Sequence, residues 1–223
     1  MYMIGVKHIV TIARNSGQLA INPFAGYLIS PEQKDRGFLS KEELNLLVNA
    51  KMKNAQYELV RDLFVFSCFC GLSYSDVKNL TKDNLQTSFD GHLWIITRRQ
   101  KTNTDSSVRL LEVPKRIIEK YKGQQEDGGL FPLFPLPVMN IRLREIASEC
   151  GISKTITTFS ARRTFATTIA SENGIPLETA AKILGHSLLK STLSVTCFTE
   201  NKIGSDMSAI SGQFKDMETM FNL

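Results

Sequence analysis

The stretch TFSARRTFATT, residues 158 to 168, puts two adjacent arginines inside an otherwise apolar and threonine-rich run. Its periodicity predicts a helix from Phe159 to Glu172 that stops at Asn173-Gly174. A guanidinium buried in such a helix is costly unless an anion or a set of acceptors meets it. Arg162 is therefore expected to face a phosphate or an acidic partner. Just downstream, Pro176 to Leu184 reads as a helix stopped by Gly185. His186 follows at a turn, and a further helix is expected from about Leu188 to Thr199.

Upstream, Leu93 to Thr97 and Val108 to Val113 are apolar, strand-like runs separated by RRQKTNTDSS. The Asn, Asp and Ser cluster supplies turn chemistry, so a β-hairpin with Arg98, Arg99 and Lys101 near its tip is predicted. Ser40-Lys41-Glu42-Glu43 has capping-box spacing before the apolar run LNLLV and marks a helix start. A second helix is expected to open near Glu58 and to run through the buried stretch LFVFSCFCGL at 63 to 72. Pro114 is read in the first turn of another helix, and Val138 to Cys150 as a helix up to Gly151. Residues 2 to 16 form an amphipathic pattern ended by Gly17, whose apolar face needs a partner. From Leu19 to Gly37 the composition shifts to Pro, Gly and mixed charge, as in a linker, which places a boundary between Tyr27 and Gly37. The fold class expected is mainly α with a small β-hairpin or sheet (α+β).

The bulk numbers agree with a globular chain. Of 223 residues, 42% are hydrophobic and 22% charged, which excludes disordered, collagenous and disulfide-scaffold classes. Twenty-seven Lys and Arg against 22 Asp and Glu give a net charge of +5, a balance that leans toward a polyanionic partner. Cys68, Cys70, Cys150 and Cys197 include no C-x-x-C pair, and His8, His92 and His186 are scattered. Neither a metal nor a cofactor is expected, and the cysteines read as reduced, buried thiols. The N-terminus lacks the layout of a signal peptide, and the most apolar stretch is too short to span a bilayer, so a cytoplasmic protein without membrane association is expected.

Three strings, GLSYSDVKNL at 71 to 80, TFSARRTFATT at 158 to 168 and KILGHSLLKST at 182 to 192, stand in an order that resembles the catalytic domain of tyrosine recombinases of the phage integrase family. The resemblance covers roughly residues 36 to 213. It implies the tyrosine recombinase catalytic fold over 37–223, a linker at 28–36, and a remnant last helix of a core-binding domain at 1–27. Chemistry in this family implies a tyrosine that attacks a DNA phosphate, two arginines that hold its non-bridging oxygens, and a lysine and histidines that manage protons.

Carried over position by position, the resemblance retains three groups: the hairpin lysine as Lys101, the H-x-x-R arginine as Arg162, and the L-G-H histidine as His186. Three positions are changed. The G-L-R arginine is Ser73, as in integrases of certain conjugative transposons, which are similar in lacking it. The H-x-x-R histidine is Phe159, which cannot donate or accept a proton. The nucleophilic tyrosine, nine residues after His186, is Val195. The five tyrosines are Tyr2, Tyr27, Tyr57, Tyr74 and Tyr121, so none lies near that position. Ser194, Thr196 and Cys197 flank it, but on a helix each is rotated away.

The implied function is duplex-DNA binding without strand cleavage, with Arg98, Arg99, Arg163 and Lys190 as further DNA contacts. The alternatives are an active site-specific recombinase or integrase, and a protein-interaction fragment or decaying remnant. A stripe of Met207, Ile210, Phe214, Met217 and Phe221 suits self-association, or association with an active recombinase, through a C-terminal helix.

Overall fold

The computed structural model describes residues 2–26, 37–125 and 128–211. The chain separates into two compact units, residues 1–35 and 36–223. In the first, helix α1 runs Tyr2–Asn15. Val6, Ile9 and Ile12 on it are exposed. Residues 27–36, which include the linker expected at 28–36, lie outside the described residues.

In the second unit the capping box reads as expected. Ser40 caps helix α2 (Lys41–Asn49), accepting from the Glu43 amide, while the Glu43 carboxylate accepts from the Ser40 amide. Helix α3 (Ala55–Cys70) begins three residues before Glu58, because Asn54 is the cap: its side chain accepts from the amides of Gln56 and Tyr57. Gly71 ends α3 in the left-handed region at φ 67°, where a Cβ would meet the Phe165 ring at 2.8 Å and Leu184 at 3.0 Å. The helix lies in the middle of the unit, with Val60, Leu63, Phe64, Phe66, Cys68 and Cys70 almost fully buried. Burial pushes the thiols of Cys68 and Cys70 well above their ordinary range, so both are inert. Cys150 and Cys197 are only half-buried, and all four cysteines are free.

Two short elements escaped the periodicity argument. Helix α4 (Tyr74–Lys78) is five residues long, and strand β1 (Leu85–Thr87) only three. Strands β2 (Leu93–Arg98) and β3 (Asp105–Arg109) follow, giving an antiparallel sheet of order β1-β2-β3. The expected second strand, Val108 to Val113, is displaced. β3 pairs Asp105 with Arg98 and Arg109 with Trp94, whereas Glu112 and Val113 belong to the first turn of helix α5 (Glu112–Tyr121). Pro114 explains this: lacking an N–H, it is tolerated in a first turn, and the helix must begin before it.

Helix α6 (Leu136–Glu149) packs on α3. The arginine helix runs as α7 (Thr158–Thr164) and continues as a π-helical segment, Phe165–Ser171. Its threonines account for the polar composition. Thr164 Oγ1 accepts from the Leu39 amide at 3.0 Å, Thr168 Oγ1 donates to the Leu39 carbonyl at 2.5 Å, and Thr167 Oγ1 accepts from the Cys197 amide at 3.0 Å. Helix α8 (Leu177–Ile183) precedes Gly185. Where one helix from 188 to 199 was expected, α9 spans only Leu189–Leu193 and α10 (Glu200–Ser211) restarts after an irregular stretch. That stretch is pinned by the Thr167 bond to Cys197, and a continuous helix cannot offer the Cys197 amide outward. Phe214, Met217 and Phe221 lie outside the described residues. Met207 on α10 is exposed.

A polar cluster ties α3 to α5. Asp62, 6% exposed, accepts from Lys120 Nζ at 2.6 Å and the Tyr121 hydroxyl at 2.8 Å, while its other oxygen accepts from Arg61. Removing the carboxylate takes one partner each from Lys120, Arg61 and the Tyr121 hydroxyl, and leaves Glu58 as the acid that pairs with both cations. Asp62→Ala is expected to lower the unfolding free energy by about 3 kcal/mol, read from urea denaturation followed by circular dichroism. A loss below about 1 kcal/mol would mean that water or Glu58 replaces the carboxylate.

Candidate phosphate-binding site

The site is built where three chain reversals converge: the turn after α3, the tip of the β2–β3 hairpin, and the turn after α8. Arg162 projects from α7 and is 4% exposed. The acidic partner expected for it does not contact it directly. Instead its Nη1 donates to the Gly71 carbonyl at 2.5 Å, and its Nη2 to the Leu184 carbonyl at 2.8 Å and to His186 Nε2 at 3.0 Å. Two helix ends thus present carbonyls with no partner inside their own helices, which is why a lone buried guanidinium is tolerated there.

Ser73 works as a helix cap. Its Oγ accepts from the Asp76 amide at 3.3 Å and donates to Asp76 Oδ2 at 2.5 Å, and the carboxylate accepts from the Ser73 amide. Asp76 is 3% exposed and receives Arg99 Nε on Oδ2 at 3.4 Å and the Gln100 amide on Oδ1 at 3.3 Å. Arg99 was read as a residue of the hairpin tip, and its backbone does lie there. Its side chain, however, turns inward and is 8% exposed. The path runs over Gly185 (φ 60°), where a Cβ would sit 2.4 Å from Arg99 Cδ, so only glycine satisfies both the turn and the passage. Thr102 Oγ1 and Ser106 Oγ donate to the carbonyls of Gly185 and Ile183 at 3.2 and 2.6 Å, fastening the hairpin to the same turn. Asp76 was missed from sequence, although the S-x-x-D spacing of Ser73 and Asp76 is a legible cap signal.

The charges in this cluster do not cancel. The groups acting on Arg162 are Arg99, which repels it, and Asp76, which attracts it; burial and Arg99 together pull its pKa down to about 9, still protonated at neutral pH. His186 is pulled down to about 4 by burial first, then by Arg162 and Arg99. Two guanidinium groups therefore share one buried carboxylate beside a neutral imidazole, an arrangement suited to an added anion.

The remaining predicted residues are dispersed. Lys101 is exposed at the hairpin tip and forms no ion pair with the described residues. Arg98 is exposed and bonds Asp105 at 3.0 Å. Phe159 is 40% exposed in the first turn of α7, Arg163 is half-buried, and Lys190 is exposed on α9. Val195 is 7% exposed and packs in a small apolar cluster with Phe165, Ala166, Ala170, Ala180 and Leu184. The hydroxyls beside it are spent on backbone: Ser194 Oγ donates to the Ser191 carbonyl, and Thr196 Oγ1 to that of Thr192. Among the described residues, no three His, Cys, Asp or Glu side chains converge as a metal site requires, and no helix is long and apolar enough to cross a membrane.

Comparison with known proteins gives the fold its family. Residues 37–195 match the model of the phage integrase family. A tyrosine recombinase of Pseudothermotoga lettingae is 31% identical over 180 residues, which are 77% of this chain and 60% of that protein, so the chain spans less than two thirds of its relative. Among solved structures, the Tn1549 transposon integrase in complex with transposon right end DNA superposes with a TM-score of 0.69 at 16% identity, over 92% of this chain and 76% of that one. XerA recombinase gives 0.62 at 20% identity over 77% and 64%. A lambda integrase dimer bound to a COC′ core site gives 0.66 at 16% over 85% and 69%. The mainly helical architecture with its three-stranded antiparallel sheet is the tyrosine recombinase catalytic fold, and the chain belongs to the phage integrase family.

Proposed function

We propose that this chain is a DNA-binding member of its family that grips a backbone phosphate without cutting it. The observation that carries the reading is the contrast between two positions: the paired guanidiniums of Arg99 and Arg162 stand around one carboxylate, while Val195 is sealed in an apolar cluster. On this reading Arg162 and Arg99 hold the non-bridging oxygens, with Arg99 reaching in from the hairpin to supply the guanidinium that Ser73 lacks. Lys101, Arg98 and Lys190 add exposed positive charge for neighbouring phosphates. Cleavage requires an oxygen nucleophile in line with the phosphorus, and valine has none. The relatives named above are longer or carry DNA in their structures, and their partners extend to this chain only as part of this proposal. Residues 1–27 are read as the last helix of a core-binding domain joined through a linker at 28–36. Association with a second recombinase subunit through the C-terminal segment belongs to the same reading.

Binding to a labelled generic duplex, measured by fluorescence anisotropy across a salt series, tests the grip. Affinity is expected to fall by at least roughly tenfold between about 50 and about 200 mM salt. Arg162→Ala and Arg99→Ala are each expected to weaken binding about tenfold or more at fixed salt. No binding by the folded chain at the lowest salt would overturn the proposal.

Val195→Tyr alone is expected to yield no covalent adduct with a nicked duplex on a denaturing gel, because Ser73 and Phe159 remain. The larger side chain also overfills an apolar cluster and costs about 1 to 3 kcal/mol of stability. An adduct from that single variant would show that those two positions matter less than argued, and an adduct from the unaltered chain would make it an active recombinase.

A further inference from the structure

We infer that His186 serves Arg162 and not a phosphate: it is a positioning residue, a neutral imidazole whose Nε2 accepts from the guanidinium and whose proton is held on Nδ1 by Thr192. The inference rests on the proposed phosphate site, because it assigns how that site's arginine is aimed.

The hydrogen-bond roles follow from donor chemistry. Arginine carries N–H donors and no acceptor, so in the 3.0 Å contact between Arg162 Nη2 and His186 Nε2 the imidazole nitrogen must accept. An accepting Nε2 carries no proton, so in the neutral ring Nδ1 carries it. That Nδ1–H points at Thr192 Oγ1, 2.8 Å away on α9, a side chain with no solvent exposure. Both ring nitrogens are therefore occupied by protein, and a phosphate oxygen, which can only accept, finds no free N–H on this ring. The charged groups acting on the imidazole are Arg162 and Arg99, both cationic, and together with burial they hold it neutral down to about pH 4.

The consequence for Arg162 is directional. Nη2 is committed to the Leu184 carbonyl and to His186, and Nη1 to the Gly71 carbonyl, so three fixed acceptors from two turns set the plane of the guanidinium. Held this way, the guanidinium keeps Nε–H and one Nη1–H, and each points in a fixed direction, so an added oxygen meets a single preset donor without loss of rotamer entropy. Protonating His186 would replace an acceptor by a donor facing a cation and release one edge of the fork.

A pair of substitutions separates the two roles. His186→Gln keeps a neutral acceptor for Arg162, whereas His186→Lys supplies a cationic donor suited to a phosphate but repelled by Arg162. The positioning role expects the Gln variant to bind duplex within about threefold of the parent and the Lys variant to bind about tenfold or more weakly. A phosphate-contacting role expects the reverse order, and that order would overturn the inference.

The unaltered protein supplies a readout that needs no variant. Nitrogen-15 NMR of labelled histidine at pH 7 is expected to show His186 protonated on Nδ1 and bare on Nε2, with the tautomer unchanged when duplex is added at low salt. A proton on Nε2, with or without duplex, would overturn it. The ring's depressed pKa also gives a sign: the unfolded chain takes up a proton near pH 6.5 that the folded ring refuses until about 4, so this residue's contribution to stability falls as pH drops through that window. His186→Gln removes that part of the slope. If the parent fails to bind any duplex, the phosphate proposal falls, while the tautomer measurement still decides the pairing of His186 with Arg162.

Discussion

The guanidinium of Arg162 is the constraint around which the catalytic-type unit is arranged. It is buried, and no carboxylate among the described residues touches it; its charge is carried by the carbonyls of Gly71 and Leu184 and by His186 Nε2. Those acceptors belong to two segments, the end of α3 and the turn that follows α8, which lie about a hundred residues apart in the chain. Burying an arginine costs too much unless each of these segments arrives in register. The left-handed glycines at 71 and 185 are the local means: each ends a helix sharply enough to aim a carbonyl or an imidazole inward, and each lies against a side chain that leaves no room for a Cβ.

A second level of organisation depends on Asp76. The carboxylate completes the cap on α4, receives Arg99 and holds the Gln100 amide, so one buried charge fixes both the start of a helix and the base of a hairpin tip. Because it is shared in this way, it neutralises only one of the two nearby guanidiniums. The excess positive charge is what gives the cluster chemical meaning. A purely structural ion pair has no reason to keep a second buried arginine within repulsive range.

Buried charge and apolar packing occupy different clusters of this unit. Arg99, Arg162 and Asp76 belong to the charged cluster, whereas Val195 packs with Phe165, Ala166 and Leu184. The break between α9 and α10, held by the Thr167 bond to the Cys197 amide, keeps Val195 there. Threonine hydroxyls of the π-helical segment thus connect the arginine helix at one edge to Leu39 and at the other to the stretch after Val195.

Local signals sufficed wherever the physics is local. The Ser40 capping box, the glycine stops, the apolar period of α3 and α6 and the hairpin around RRQKTNTDSS were legible because each depends on residues within one or two turns of one another. The family's strings were legible for the same reason, as identities at fixed spacing. Elements of three to five residues, β1 and α4, were not, since no periodicity accumulates over so few positions. Nor could the sequence show that Arg99 leaves the surface for Asp76, or that His186 accepts from Arg162 instead of facing outward. Those arrangements join residues 23 and 24 positions apart across separate elements. They are decided by which carbonyls, carboxylates and glycines the fold brings to one point, because a buried charge takes its partner from three-dimensional neighbours and not from the neighbouring sequence.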